Sequence, residues 1–239
     1  NKNKKTRMHY ILGQLYLLLN EHSSALQEFN KVINKNPRYE MVFNAKLMRT
    51  KAYVANSKGF DELNKSLASM LKDSKNKEYK DQIHFALATL HLKNKDTLST
   101  INSLKQSIQS SIFNSAQKIE SHYMLANLFW ENKKYLNSYY HCDSAYQLSS
   151  SKTSKYDEIK KMLRGAKKIA NKYNIINYND SIVALAQLPE LERNQIIDNY
   201  IDALKKSEEL SKNNSNERSP GGNFNSYEFN RQAQNSMNI

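Results

Sequence analysis

The side chains with the widest chemical reach in this sequence are six histidines (His9, His22, His84, His91, His122 and His141) and one cysteine, Cys142. A zinc site needs three or four such ligands converging on one point. His84 and His91 are seven residues apart, about two helical turns, so they share a face but stand too far apart to chelate one ion. A single cysteine excludes an intrachain disulfide and a cysteine-based zinc site. An activated thiol needs a neighbouring base and exposure, and the sequence offers Cys142 neither. No glycine-rich phosphate loop, HExxH, GxSxG or paired His/Asp cluster occurs. The sequence therefore predicts no catalytic residue, no metal and no cofactor, which leaves binding.

The candidate binding residues recur at helical spacing. Tyr10, Gln14 and Leu17 form one set, Phe85 and Thr89 a second, and Tyr123, Asn127 and Trp130 a third. Aromatics anchor peptides and amides hydrogen-bond their backbones. The alternative, that these aromatics only pack between helices, stays open because large apolar residues are more often buried than functional. The formal charge of +13 permits nucleic acid, acidic protein or lipid headgroups as partners. Its lysines are scattered among asparagines and no nucleic-acid module occurs, so nucleic acid is not the expected partner.

Positioning those sets requires repeated helices. Between Arg7 and Tyr39 stand Leu12-Gly13, Tyr16, Ala25, Phe29 and Pro37. Those types at those offsets are the signature of the tetratricopeptide (TPR) repeat, a pair of antiparallel helices. Gly13 and Ala25 are small where the helices cross. Leu12, Tyr16 and Phe29 fill the space around them, and Pro37 ends the second helix. A degenerate second unit has Leu47, Thr50 and Val54, then Leu63, Leu67 and Leu71 after a break at Gly59. The third has Phe85, Leu87-Ala88 and Leu92, then Ile101, Leu104 and Ile108; the fourth has Tyr123, Leu125-Ala126 and Phe129, then Tyr135, Ser138, Cys142 and Ala145. Counted from Gly13, the crossing positions fall at Lys51, Ala88 and Ala126, in steps of 38, 37 and 38 residues. His9, His84 and His122 share one repeat position, which makes them packing residues first. Cys142 takes the place of Phe29, where a small buried hydrophobe is expected. Some TPR co-chaperones grip a terminal carboxylate with Lys, Arg and Asn; the corresponding positions here are Tyr10 and Gln14, so that clamp is absent.

The expected fold is all-α: a TPR-like helical-repeat solenoid with C-terminal capping helices and an extended tail. Residues 1–152 hold about four units. Residues 153–212 comprise a capping helix over 155–172, an extended crossing over 173–178, a short helix through Gln187 and a last helix opened by Pro189. Residues 213–239 are low in complexity, and Phe224, Tyr227 and Phe229 are their adhesive part. No apolar run reaches the ~18 residues that a bilayer span needs. The absence of a signal peptide before Asn1 is the expectation for a segment of a longer chain.

Three motifs close the chain: Tyr-x-Ile-Ile-x-Tyr-Asn-Asp-Ser-Ile at 173–182, Leu-Ala-x-Leu-Pro-Glu-x-Glu-Arg-Asn at 185–194, and Ile-Ile-Asp-x-Tyr-Ile-x-x-Leu-Lys-Lys at 196–206. After TPR-like units, this region resembles the PorW/SprE-type TPR lipoproteins of Bacteroidota. The resemblance implies a non-enzymatic scaffold of type IX protein secretion and gliding motility. It implies a periplasmic protein anchored at the outer membrane by a lipid outside residues 1–239. It also implies contact with the outer-membrane translocon and with periplasmic ring or motor components. The alternative is a general TPR adaptor that holds peptides in a concave aromatic groove.

Overall fold

Small residues at fixed intervals let helices close on one another in pairs. The structure, a computed structural model, describes residues 2–55 and 59–214. Its helices are α1 (Lys2–Leu18), α2 (His22–Asn34), α3 (Tyr39–Ala52), α4 (Phe60–Lys72), α5 (Lys80–Lys93), α6 (Thr97–Ser110), α7 (Ser115–Glu131), α8 (Tyr135–Leu148), α9 (Tyr156–Gln187) and α10 (Glu190–Asn214), with a 3-10 turn at Ser74–Tyr79 before α5. No strand occurs among the described residues. The chain forms two compact units, dividing after Ile169.

In the first unit α1 pairs with α2, α5 with α6, and α7 with α8. The three connecting turns are the same. Asn20, Lys95 and Lys133 are left-handed at φ 58°, 60° and 58°. Their N–H groups donate to Leu17, Leu92 and Trp130, and the next N–H donates to Tyr16, His91 and Phe129. This is the Schellman stop, which satisfies the last carbonyls of the first helix and reverses the chain. Behind each turn the helices cross on a fully buried pair: Gly13 with Phe29, Ala88 with Leu104, Ala126 with Cys142. Three turns and three crossings in one register make this a helical repeat.

The second helical pair, α3 with α4, departs from the expected register. Lys51 is exposed, and Thr50 is the buried residue at the crossing, so the steps are 37, 38 and 38 residues. Opposite, Leu63 stands where the other pairs have Ala25, Thr100 and Ser138. A leucine there keeps α4 from closing on α3, which it touches only sparsely. The chain between them is longer, and Val54, expected on the helix, lies beyond it and is exposed. The Lys93 ammonium compensates by donating to the carbonyls of Lys51 and of Tyr53, the latter at 2.8 Å. It thereby caps the end of α3 from α5.

Among the described residues the core of the first unit is a chain of four apolar clusters. Ala25, Phe29 and Val32 of α2 meet Ala45 and Ala52 of α3. Leu63, Leu67 and Met70 of α4 join Phe43 to Ile83, Leu87 and Leu90 of α5. Ala88 and Leu104 meet Leu125 and Phe129 of α7. Ile119, Ala126, Cys142 and Ala145 meet Ile159 of α9, with Met162 and Leu163 half-buried beside them. Every first helix after α1 is thus covered by the pair before it, as stacked repeats require.

The expected extended crossing at 173–178 is not formed: α9 runs unbroken from Tyr156 to Gln187. Isoleucine, tyrosine and asparagine cost only a few tenths of a kcal/mol each in a helix, and no glycine or proline stands between Gly165 and Pro189 to stop it. In the second unit the end of α9 and α10 expose Ile175, Ile176, Ile182, Val183, Ile196 and Ile197. Phe224, Tyr227 and Phe229 lie outside the described residues.

Candidate partner-binding groove

The first helices of neighbouring pairs lie side by side, so residues four apart on each face the same space. Between α5 and α7 this gives a groove of 390 Å³. Its apolar wall is Phe85, Leu92, Met124 and Leu128, and its polar groups are Thr89, Tyr123 and Asn127. Lys51, Glu120, Glu131 and Lys155 add charge of both signs. The volume is in the range of binding pockets and suits a few side chains of an extended segment.

Its interior is ordered by its own contacts. The Lys155 ammonium bonds Glu120 Oε2 at 2.7 Å and lies 5.5 Å from the centre of the Tyr123 ring. The Tyr123 hydroxyl donates to Glu158 Oε2 at 3.2 Å. Burial raises the Tyr123 phenol above its ordinary value, with the Glu158 carboxylate adding to it, so it stays a hydrogen-bond donor. Asn127 Nδ2 donates to the Tyr123 carbonyl at 2.8 Å. That uses one of its two N–H groups, the side chain also hydrogen-bonds the Tyr123 phenol, and the carboxamide oxygen remains to accept from a peptide N–H.

Of the residues singled out by spacing, the groove brings together Phe85, Thr89, Tyr123 and Asn127. It does not include Tyr10, Gln14, Leu17 or Trp130. Tyr10 stands edge-on to Phe29 with centroids 5.8 Å apart, Leu17 packs on the first cluster, and Gln14 is exposed. Trp130 stands edge-on to Tyr135 at 5.2 Å, and its ring lies close beside Gly165. Lys51 and Lys155 were missed because they come from the end of α3 and the start of α9. Leu92, seven residues after Phe85, and Glu120 and Glu131, seven before and four after Asn127, carried a periodic signal.

The remaining reactive side chains are engaged in packing. Cys142 is buried, its Sγ donates to the Ile159 carbonyl at 3.4 Å, and burial, with Asp143, pushes its thiol up to about 12. The His122 and His141 Nδ1 atoms are 3.0 Å apart, and His141 stacks on Phe129. Nineteen residues separate that pair, as they do His9 and Glu28, whose Nδ1–Oε2 distance is 2.6 Å. The two pairs occupy equivalent repeat positions. Burial pushes the His84 and His91 imidazoles below their ordinary value. No group of three potential metal ligands occurs among the described residues, and no described helix is long and apolar enough to cross a membrane.

Compared with models of known protein families and with curated proteins, the chain finds no match.

Proposed function

We propose that the chain is a non-enzymatic scaffold whose repeats are of the TPR type and whose groove between α5 and α7 holds an extended segment of another protein. The observation that carries this is the α5–α7 groove: apolar walls, a carboxamide with unspent hydrogen-bonding capacity, and charges of both signs, all on one face of the repeat. The scaffold belongs, on this reading, to a type IX secretion and gliding-motility assembly, in the periplasm and held at the outer membrane. It links the translocon to periplasmic ring or motor components. That assignment rests on the motifs at 173–182, 185–194 and 196–206.

The test is co-purification of the translocon from a Bacteroidota envelope with the intact chain, with Phe85→Ala/Tyr123→Ala, and with a chain lacking residues 207–239. The groove variant should lose at least about tenfold in recovery while keeping its helical circular dichroism. Loss on removing 207–239 assigns part of the contact to the tail. Full recovery with the groove variant would remove the groove from the reading, and no recovery with the intact chain would remove the secretion assignment.

A further inference from the structure

The outer side of α1 carries an apolar stripe that the fold leaves open. Met8, Ile11, Leu12 and Leu15 follow one another at spacings of three, one and three, and are 62%, 44%, 40% and 48% exposed. The repeat register identifies the same four positions on the other first helices. On α5 they are Ile83, Ala86, Leu87 and Leu90, exposed by 8% at most. On α7 Ser121, Leu125 and Leu128 are buried and Met124 is half-buried. On α3 Ala45 and Ala52 are buried and Met48 and Arg49 are half-buried. What buries each of these faces is the preceding helical pair: chiefly α2 on α3 and α6 on α7, and α3 and α4 together on α5. The stripe on α1 is therefore the next member of a repeated interface.

We infer that this face seats a further helical pair of the same repeat type, supplied from outside residues 1–239. A second copy is the wrong occupant. Lys4, Lys5 and Arg7 extend the stripe by one turn and α1 has no acidic residue, so a parallel pairing of two α1 faces would bring like charges together. An antiparallel pairing would not reproduce the contact of a preceding helical pair that covers this face on α3, α5 and α7. The far side of α9 in the first unit is no substitute, because Lys161, Arg164, Lys167 and Lys168 are exposed there. The occupant lays an apolar ridge on Met8, Ile11, Leu12 and Leu15, as α6 does on α7.

The probe is a copy of residues 80–114 joined directly before Lys2 of the intact chain. This continues the register, since Lys2 stands where α7 has Ser115. The fusion should raise Tm by several degrees and slow α1 amide exchange at least about tenfold. The same fusion carrying Leu12→Lys and Leu15→Lys should show neither change. In the unfused chain, α1 amides should exchange at least about tenfold faster than those of α5 and α7 at equivalent positions. Equal protection there overturns the proposal. So does a fusion that leaves α1 exchange unchanged, or a dimer of the unfused chain that Leu15→Lys dissociates.

Discussion

A Cβ built on Gly13 would stand 2.7 Å from Cε1 of Phe29. At the two equivalent crossings alanine replaces the glycine, and the facing ring becomes Leu104 and then Cys142. Volume is traded across the helix pair so that the helix separation is kept. Gly13→Ala gains roughly 0.5–1 kcal/mol in helix propensity but overpacks the crossing by about 1–3 kcal/mol. A net loss of about 1 kcal/mol is expected in urea denaturation. Phe29→Leu alone also destabilises, by leaving a cavity. In combination the two should cost less than their sum, because together they rebuild the Ala88–Leu104 crossing. Strict additivity would show that the two side chains do not share this space.

The His122–His141 pair makes the α7–α8 hairpin sensitive to acid. Burial, then Lys118, pushes His122 down to about 4; burial, then His122 and Lys105, does the same to His141. With both rings protonated, two N–H groups would face each other across 3.0 Å. The folded-state values lie below the ordinary 6.5, so the unfolded chain binds more protons between those limits. Stability is fully present above about pH 6.5 and is lost as pH falls toward 4. The expected loss between pH 7 and 5 is about 2 kcal/mol for each ring at full weight, and about 2–4 kcal/mol for the pair after discounting for solvent screening, read as a falling Tm. His141→Glu copies the His9–Glu28 pair and should remove most of that slope. An unchanged slope would locate the acid sensitivity elsewhere.

Left-handed residues at the three Schellman turns are a place where stability can be gained. Lys133 has φ 58°, a conformation that costs a side chain roughly 1 kcal/mol and glycine almost nothing. Lys133→Gly should therefore raise stability by about 0.5–1 kcal/mol in thermal denaturation. The same change at Lys118, inside α7, should lower it by about 1 kcal/mol. Equal effects at the two sites would mean that the turn does not set the sign.

How far the sequence could be read follows from where small residues stand. Gly13, Ala25, Ala88 and Ala126 announced three crossings, and the structure has all of them. In the second helical pair no Gly or Ala marks the crossing, so Thr50 and Lys51 could not be told apart by type. Only burial separates them. The stretch 173–178 misled because β-branched and aromatic residues suggested an extended chain, while the absence of any Gly or Pro decided for a helix. Phe85, Tyr123 and Asn127 were legible because helical period places them on one face. Lys51 and Lys155 were not, since pair packing rather than local pattern brings them to the groove.

Asp81 offers the sharpest test of how the third and fourth pairs are joined. It is buried, and its carboxylate accepts from Asn114 Nδ2 at 2.9 Å, from Ser111 Oγ at 3.3 Å and from the Gln82 N–H at 2.8 Å. Its carbonyl accepts from Ser107 Oγ at 2.8 Å, and Ser107 lies 2.8 Å from Ser121 Oγ. One residue thus ties α5 to α6, to the turn before α7 and, through Ser107, to α7 itself. Asp81→Ala leaves the Asn114 donor without its acceptor in a half-buried site, while Ser111 keeps the Ser107 carbonyl at 2.9 Å, and should cost about 1–3 kcal/mol. Asp81→Asn keeps one acceptor but turns an N–H toward Asn114 or Ser111, and should cost about 1 kcal/mol. Amide exchange should show where the loss falls: the N-terminal turn of α7 opens first, while α1 and α2 keep their protection. A loss below about 0.5 kcal/mol for Asp81→Ala would mean that water replaces the carboxylate and that apolar packing alone joins these pairs.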